Sequence, residues 1–207
     1  MKRFAFTMLE LVFVIIVIGI ISVLSIPNMS TNPLQQAAEQ IASHIRYTQH
    51  LALMEDKYND QNATWFASNW QIWFRIYNGK YYYEVFSDKD QEGNSDTNEE
   101  AIDPLTNNNL GNGDAGVGLP SNNDINITGK FGITSMVFSA NCKIGQGGKI
   151  AFDNLGRPYG DVSYDPNDPY YKYLTQPCTI NLKHGGSDTN ATITVQPETG
   201  YVSVVYN

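Results

Sequence analysis

Trp70-Gln71-Ile72-Trp73-Phe74-Arg75-Ile76-Tyr77, then Asn78-Gly79, then Lys80-Tyr81-Tyr82-Tyr83-Glu84-Val85-Phe86 sets two runs of period two around an Asn-Gly pair. Both positions of a two-residue hairpin turn need positive φ, which Asn and Gly tolerate, so the stretch predicts a β-hairpin. Counting back from the turn places Ile72, Phe74, Ile76, Tyr81, Tyr83 and Val85 on one face. Trp73, Arg75, Tyr77, Lys80, Tyr82 and Glu84 fall on the other. The first face is expected to cover a helix.

Downstream, short strand-like runs lie at Ile133 to Ser139, Lys149 to Phe152, Cys178 to Lys183, Ala191 to Gln196 and Tyr201 to Tyr206. The last two are joined through Pro197-Glu198-Thr199-Gly200. No helical pattern of useful length interrupts them, so residues 57–207 predict a β-rich globular domain, an antiparallel sheet or a small two-sheet sandwich. Within it, Ser87 to Lys130 is rich in Asn, Asp, Gly and Ser. That span, 87–130, reads as a long, exposed polar insertion.

A chain of 207 residues, 42% hydrophobic and 12% aromatic, can bury one good core but is short for two. Its formal charge of -8 should repel phosphate backbones and anionic lipids, so nucleic acid is not the default partner. The two cysteines, Cys142 and Cys178, are too far apart for a CxxC motif and too few for a thiolate-only zinc site. A single structural disulfide is the natural reading for a domain outside the cytoplasm; two buried free thiols are the alternative.

Upstream of the hairpin the pattern changes. Leu34, Ala37, Ala38, Ile41, Ile45 and Thr48 recur at spacings of three and four, which predicts an amphipathic helix over 28–56. Before it, Met8 to Ile26 is apolar except for Glu10, Gly19, Ser22 and Ser25, about the length that crosses ~30 Å of hydrocarbon. Residues 6–27 are therefore expected to span a membrane, with Lys2 and Arg3 keeping the short N-terminus in the cytoplasm and the rest facing outward. Pro27 is expected to kink or locally melt the helix, which from Phe6 to about Asp56 would be a rod of roughly 75 Å. The expected class is α+β: one long N-terminal helix, its first half in the membrane, packed on an antiparallel sheet or small sandwich.

Glu10 does not fit an ordinary anchor, because a carboxylate at the start of a span costs a few kcal/mol unless something pairs with it. Ala5-Phe6-Thr7-Met8-Leu9-Glu10 resembles the processing site of type IV prepilins and type II secretion pseudopilins. The resemblance implies a leader over 1–5, cleavage by a prepilin peptidase between Ala5 and Phe6, and methylation of the new Phe6 amine. Ala5 departs from the usual Gly at the residue before the cut. It further implies that Glu10 pairs with the Phe6 amine of a neighbouring subunit, and that the other partners are pilin-like subunits and the bacterial inner membrane. The domain would then lie in the periplasm and pass into a pilus or pseudopilus. Ile150-Ala151-Phe152-Asp153-Asn154-Leu155-Gly156-Arg157-Pro158 and Ile193 through Val204 resemble, more loosely, the GspH/FimT-type minor pseudopilins.

Asp88-Lys89-Asp90-Gln91-Glu92-Gly93-Asn94-Ser95-Asp96-Thr97-Asn98-Glu99 matches calcium-loop spacing. Oxygen ligands are available from Asp88, Asp90, Glu92, the Asn94 carbonyl, Asp96 and Glu99, with Gly93 at the sharp turn. Glu at the fifth position, Ser95 at the eighth and the absence of flanking helices fit a merely solvated loop instead. No cofactor is required, and calcium is the one ion the pattern suggests. His44, His50 and His184 lack metal spacing, and Trp65, Trp70, Trp73 and Tyr81 to Tyr83 are explained by half-buried sheet positions more readily than by a ligand platform. No GxSxG, phosphate loop or carboxylate pair points to catalysis, and the chain is not read as an enzyme.

Two functions follow from the resemblance. One is a structural subunit of a type II secretion pseudopilus, growing by addition of subunits. The other is a minor pilin that binds DNA for uptake, which would need a patch drawn from Lys143, Lys149, Arg157, Lys172 and Lys183. Loss of Lys2 and Arg3 would leave 11 basic against 21 acidic residues, a formal charge of about -10, which opposes DNA binding.

Overall fold

Pro33 opens a helix because its missing N–H is one that a first helical turn leaves unpaired anyway, while its ring pushes Asn32 out of helical geometry. In the computed structural model, which describes residues 7–24, 32–111, 122–161, 168 and 170–207, helix α1 runs Met8–Leu24 and helix α2 runs Pro33–Met54. The chain divides into two units, 1–32 and 33–207.

The single long N-terminal helix is therefore not observed. α1 has 17 residues and α2 has 22, and Asn32 is not helical. α2 carries Gln35, Gln36, Glu39 and Gln40 in its first turns, so it cannot extend the apolar run. Among the described residues no helix is long and apolar enough to cross a membrane. The expected transmembrane segment over 6–27, the single-pass inner-membrane location and the periplasmic placement derived from it are corrected accordingly. Sequence reasoning put the break at Pro27, which lies outside the described residues, and overlooked Pro33.

In the second unit two antiparallel sheets form. The strands are β1 (Trp70–Tyr77), β2 (Lys80–Ser87), β3 (Ile133–Phe138), β4 (Lys143–Ile144), β5 (Gly147–Phe152), β6 (Pro158–Tyr159), β7 (Cys178–His184), β8 (Asn190–Val195) and β9 (Val202–Tyr206), with a short helix α3 (Ile127–Phe131) before β3. The first sheet has the order β2-β1-β5-β4, with β6 also on β5; the second has β3-β7-β8-β9. β1 and β2 pair from Tyr77↔Lys80 to Trp70↔Ser87, and Asn78 and Gly79 both take positive φ. This is the hairpin that the Asn-Gly pair predicts.

α2 packs against β1 and β5 of the first sheet and β7, β8 and β9 of the second. The stripe Leu34, Ala37, Ala38, Ile41, Ile45 and Thr48 is buried along its length. Ile72, Phe74, Tyr83 and Val85, from the predicted inner face of the hairpin, are buried with it, and the Phe74 ring meets that of Phe138 of the other sheet at a tilt, centroids 5.3 Å apart. Cys142 and Cys178 form a disulfide with Cα atoms 5.6 Å apart. Since Cys142 immediately precedes β4 and Cys178 begins β7, the bond ties one sheet to the other.

The polar insertion differs from expectation. Residues 99–110 fold back on the free edge of β2: Ala101 N–H donates to the Val85 carbonyl, Val85 N–H to the Leu110 carbonyl, and Ser87 N–H to the Glu99 carbonyl. Ala101, Leu110, Ile125 and Ile127 join the core. Composition hides this because a few apolar residues suffice to anchor a segment whose backbone satisfies a sheet edge.

Candidate functional site

In α1 the residue before the helix is Thr7, whose hydroxyl oxygen accepts the Glu10 N–H at 3.3 Å while its carbonyl accepts the Leu11 N–H at 3.2 Å. Thr7 is thus the N-cap, and Thr-x-x-Glu is the capping-box pattern. Glu10 sits in the first turn, where a carboxylate is favoured by the helix dipole. Beyond it the helix is apolar all round: Leu11, Phe13, Ile15, Ile16, Ile18 and Ile20 point in successive directions and are all more than half exposed. A helix apolar on every face calls for an apolar covering. Ala5 and Phe6, the expected cleavage and methylation site, lie outside the described residues.

The acidic loop follows β2 directly. Asp88, Asp90 and Glu99 each place an oxygen so that the three lie within 4.8 Å of one another. Asp88 and Glu99 are buried and Asp90 is exposed. Gly93, with φ of 83°, donates its N–H to Asp88 Oδ2 at 3.0 Å, and Glu92 N–H donates to Asp90 Oδ1 at 3.2 Å. Glu99 Oε1 accepts the N–H groups of Lys89 and Asp90, and Oε2 accepts that of Asp96 at 3.3 Å. Asp88 Oδ1 is buried with no hydrogen-bond partner among the described residues, as is Asn94 Oδ1. Burial, reinforced by the Glu99 and Asp90 charges, pushes the Asp88 carboxyl up to about 6, against the pull of the Gly93 N–H and Lys149. Of the six predicted ligands the structure thus clusters three. Glu92 is exposed, Asp96 N–H is bound to Glu99, and Ser95 is buried, donating to Glu84 Oε2 at 3.0 Å.

At the other side of α2, the two turns that resemble the minor pseudopilins come together on one side chain. Gln49 Nε2 donates to the Gly156 carbonyl and to the Thr199 carbonyl, both at 2.8 Å. Asp153 holds the first turn, accepting Arg157 Nε at 2.6 Å and the Arg157 N–H at 2.8 Å. Nothing in the spacing of these segments points to Gln49, which is why sequence reasoning missed it.

The remaining candidates scatter. His44 is buried, 2.5 Å from the Tyr83 hydroxyl, and burial holds its pKa below the usual range; His50 is exposed on α2, and His184 ends β7. Trp65 packs on the small cluster of Phe66, Ala151 and Tyr159, whereas Trp70 packs on the main core and donates to Glu55, so these two tryptophans share no platform. Trp73 is flanked by Arg75 at 4.5 Å and Lys149 at 4.6 Å. Of the five candidate DNA contacts, Lys149 is buried, Arg157 is tied to Asp153, Lys143 and Lys183 lie on different sheets, and Lys172 sits by Tyr171. No protein-family model, curated protein or solved structure matches this chain.

Proposed function

We propose that this chain is a structural subunit of a pilin-like filament of the type II secretion pseudopilus kind, assembled through α1 and not through catalysis. The observation that supports it is α1 itself: an apolar helix with one carboxylate, Glu10, in its first turn. Most of its apolar side chains are exposed, and such a surface is stabilised when other apolar helices cover it, each Å² of apolar area so covered contributing roughly 25 cal/mol. The occupant is the corresponding helix of other subunits. On the resemblance of residues 5–10 to prepilin processing sites, cleavage before Phe6 creates an amine at the N-terminal end of α1. Glu10 of one subunit and the Phe6 amine of the next then form a pair that is tolerable in an apolar core because each charge neutralises the other.

The acidic balance of the chain and the scattered lysines favour this structural role over DNA capture.

Glu10 has a local role as well, in the helix cap, and the two roles separate by substitution. Glu10→Gln keeps a capping-box residue but loses the charge; Glu10→Ala loses both. In the native host, tagged chains bearing either substitution are expected to lose co-purification with other pilin-like subunits while accumulating normally. Retained co-purification in Glu10→Gln would assign Glu10 to capping alone and remove the charge-pairing step.

A further inference from the structure

We propose that the loop from Asp88 to Glu99 is a calcium site built on Asp88, Asp90 and Glu99. Three carboxylates share a space of 4.8 Å, and two of them are buried. Among the described residues none of the three forms a salt bridge. Lys149 acts on Asp88 only through space, its ammonium lying over the Trp73 and Phe86 rings, and Lys89 Nζ is bound to the Asn98 carbonyl. Like charges that close repel, and among the described residues no cation is in salt-bridge contact with them.

The decisive atom is Asp88 Oδ1. Asp88 is 2% exposed, its Oδ2 is occupied by the Gly93 N–H, and its Oδ1 has no partner among the described residues. A buried carboxylate oxygen without a donor is costly, and a hard cation is the partner that removes the cost for all three acids at once. Asn94 Oδ1, a buried atom without a partner among the described residues, offers a neutral oxygen from the same loop. The backbone N–H bonds to Glu99 leave a place for the ion: Oε1 accepts two N–H groups, while Oε2 accepts that of Asp96 and keeps a second lone pair. They hold the Glu99 carboxylate against Lys89, Asp90 and Asp96 and so fix the loop around the site. Oxygen-only donors, a net charge of three minus from the carboxylates and a loop closed by positive-φ Gln91 and Gly93 suit calcium, which accepts irregular oxygen shells, better than magnesium, which demands a near-ideal octahedron.

The experiment is calorimetric titration of the chelator-treated full chain with calcium chloride, together with thermal melts with and without the ion. The expected result is saturation at one calcium per chain and a raised Tm. Asp88→Asn and Glu99→Gln should each weaken binding at least tenfold, whereas Asp188→Asn, on an exposed turn, should not. Asp88→Asn preserves shape and removes one of the crowded charges, so its Tm in chelator should be no lower than that of the wild type. Should a variant fail to fold, the wild-type titration decides alone. No saturable binding up to about 10 mM calcium, tenfold beyond the weak end of extracellular modules, overturns the site, as does unchanged affinity in either variant.

Discussion

The Gly93 N–H donates to one oxygen of Asp88 at 3.0 Å and leaves the other oxygen of the same carboxylate buried without a partner among the described residues. The consequence is a pH dependence of known sign. The folded state holds the Asp88 proton up to about 6, whereas the ordinary value is 3.8, so between those limits the folded chain binds more protons than the unfolded one. Stability contributed by this group is present at low pH and lost as pH rises through about 6, a change on the order of 3 kcal/mol at most. His44, whose pKa is lowered, works in the opposite direction, so the Asp88 contribution is read as a difference. In chelator, the Tm of Asp88→Asn relative to wild type should rise between about pH 4 and about pH 7. A constant difference across that range would contradict it.

Gln49→Ala removes a side chain that donates to Gly156 and Thr199 together. The expected loss is about 1–3 kcal/mol in urea unfolding, because two carbonyls lose their donor. Gly200→Ala should be worse than a surface change: Gly200 has φ of 64°, and an added Cβ would meet Gln49 Nε2 at 2.4 Å and the Gly156 oxygen at 2.8 Å. Equal stability of wild type and Gly200→Ala would show that the junction is looser than described.

Removing the disulfide by Cys142→Ala with Cys178→Ala should cost roughly 3–4 kcal/mol on the chain-entropy account. The bond links residues 36 apart and joins the sheets, so both should lose protection together in hydrogen exchange. Loss confined to the second sheet would mean that the main core, not the disulfide, holds them.

Tyr83→Phe deletes a hydroxyl that accepts from Gln40 Nε2 at 2.7 Å and lies 2.5 Å from His44 Nδ1. The site is fully buried, so the polar groups left behind should cost about 1–3 kcal/mol by chemical denaturation. Phe fills the same volume, so a cost below about 0.5 kcal/mol would show that Gln40 and His44 find other partners.

Much of the sheet architecture was legible because strands announce themselves locally. The Asn-Gly turn, the alternation through β1 and β2, and the runs that became β3, β5, β7, β8 and β9 are short-range signals. The α2 stripe was equally clear, down to Thr48. The long N-terminal helix failed because apolar content was allowed to outrank Pro33, whose backbone chemistry ends any continuity at Asn32. The segment from Glu99 to Leu110 failed for a different reason: its role is backbone pairing with β2, which side-chain composition does not encode. In the acidic loop, spacing named Asp88, Asp90 and Glu99, but only the fold shows which of six oxygens converge and which one is left without a donor.

The claim that α1 joins subunits is tested most directly by photo-crosslinking in the native host from a probe residue placed at Phe13 or Ile16, both exposed on α1. The proposal predicts crosslinks to the N-terminal helices of pilin-like subunits, abolished by Glu10→Ala. Crosslinks to unrelated proteins, or a subunit pattern indifferent to Glu10, would contradict it.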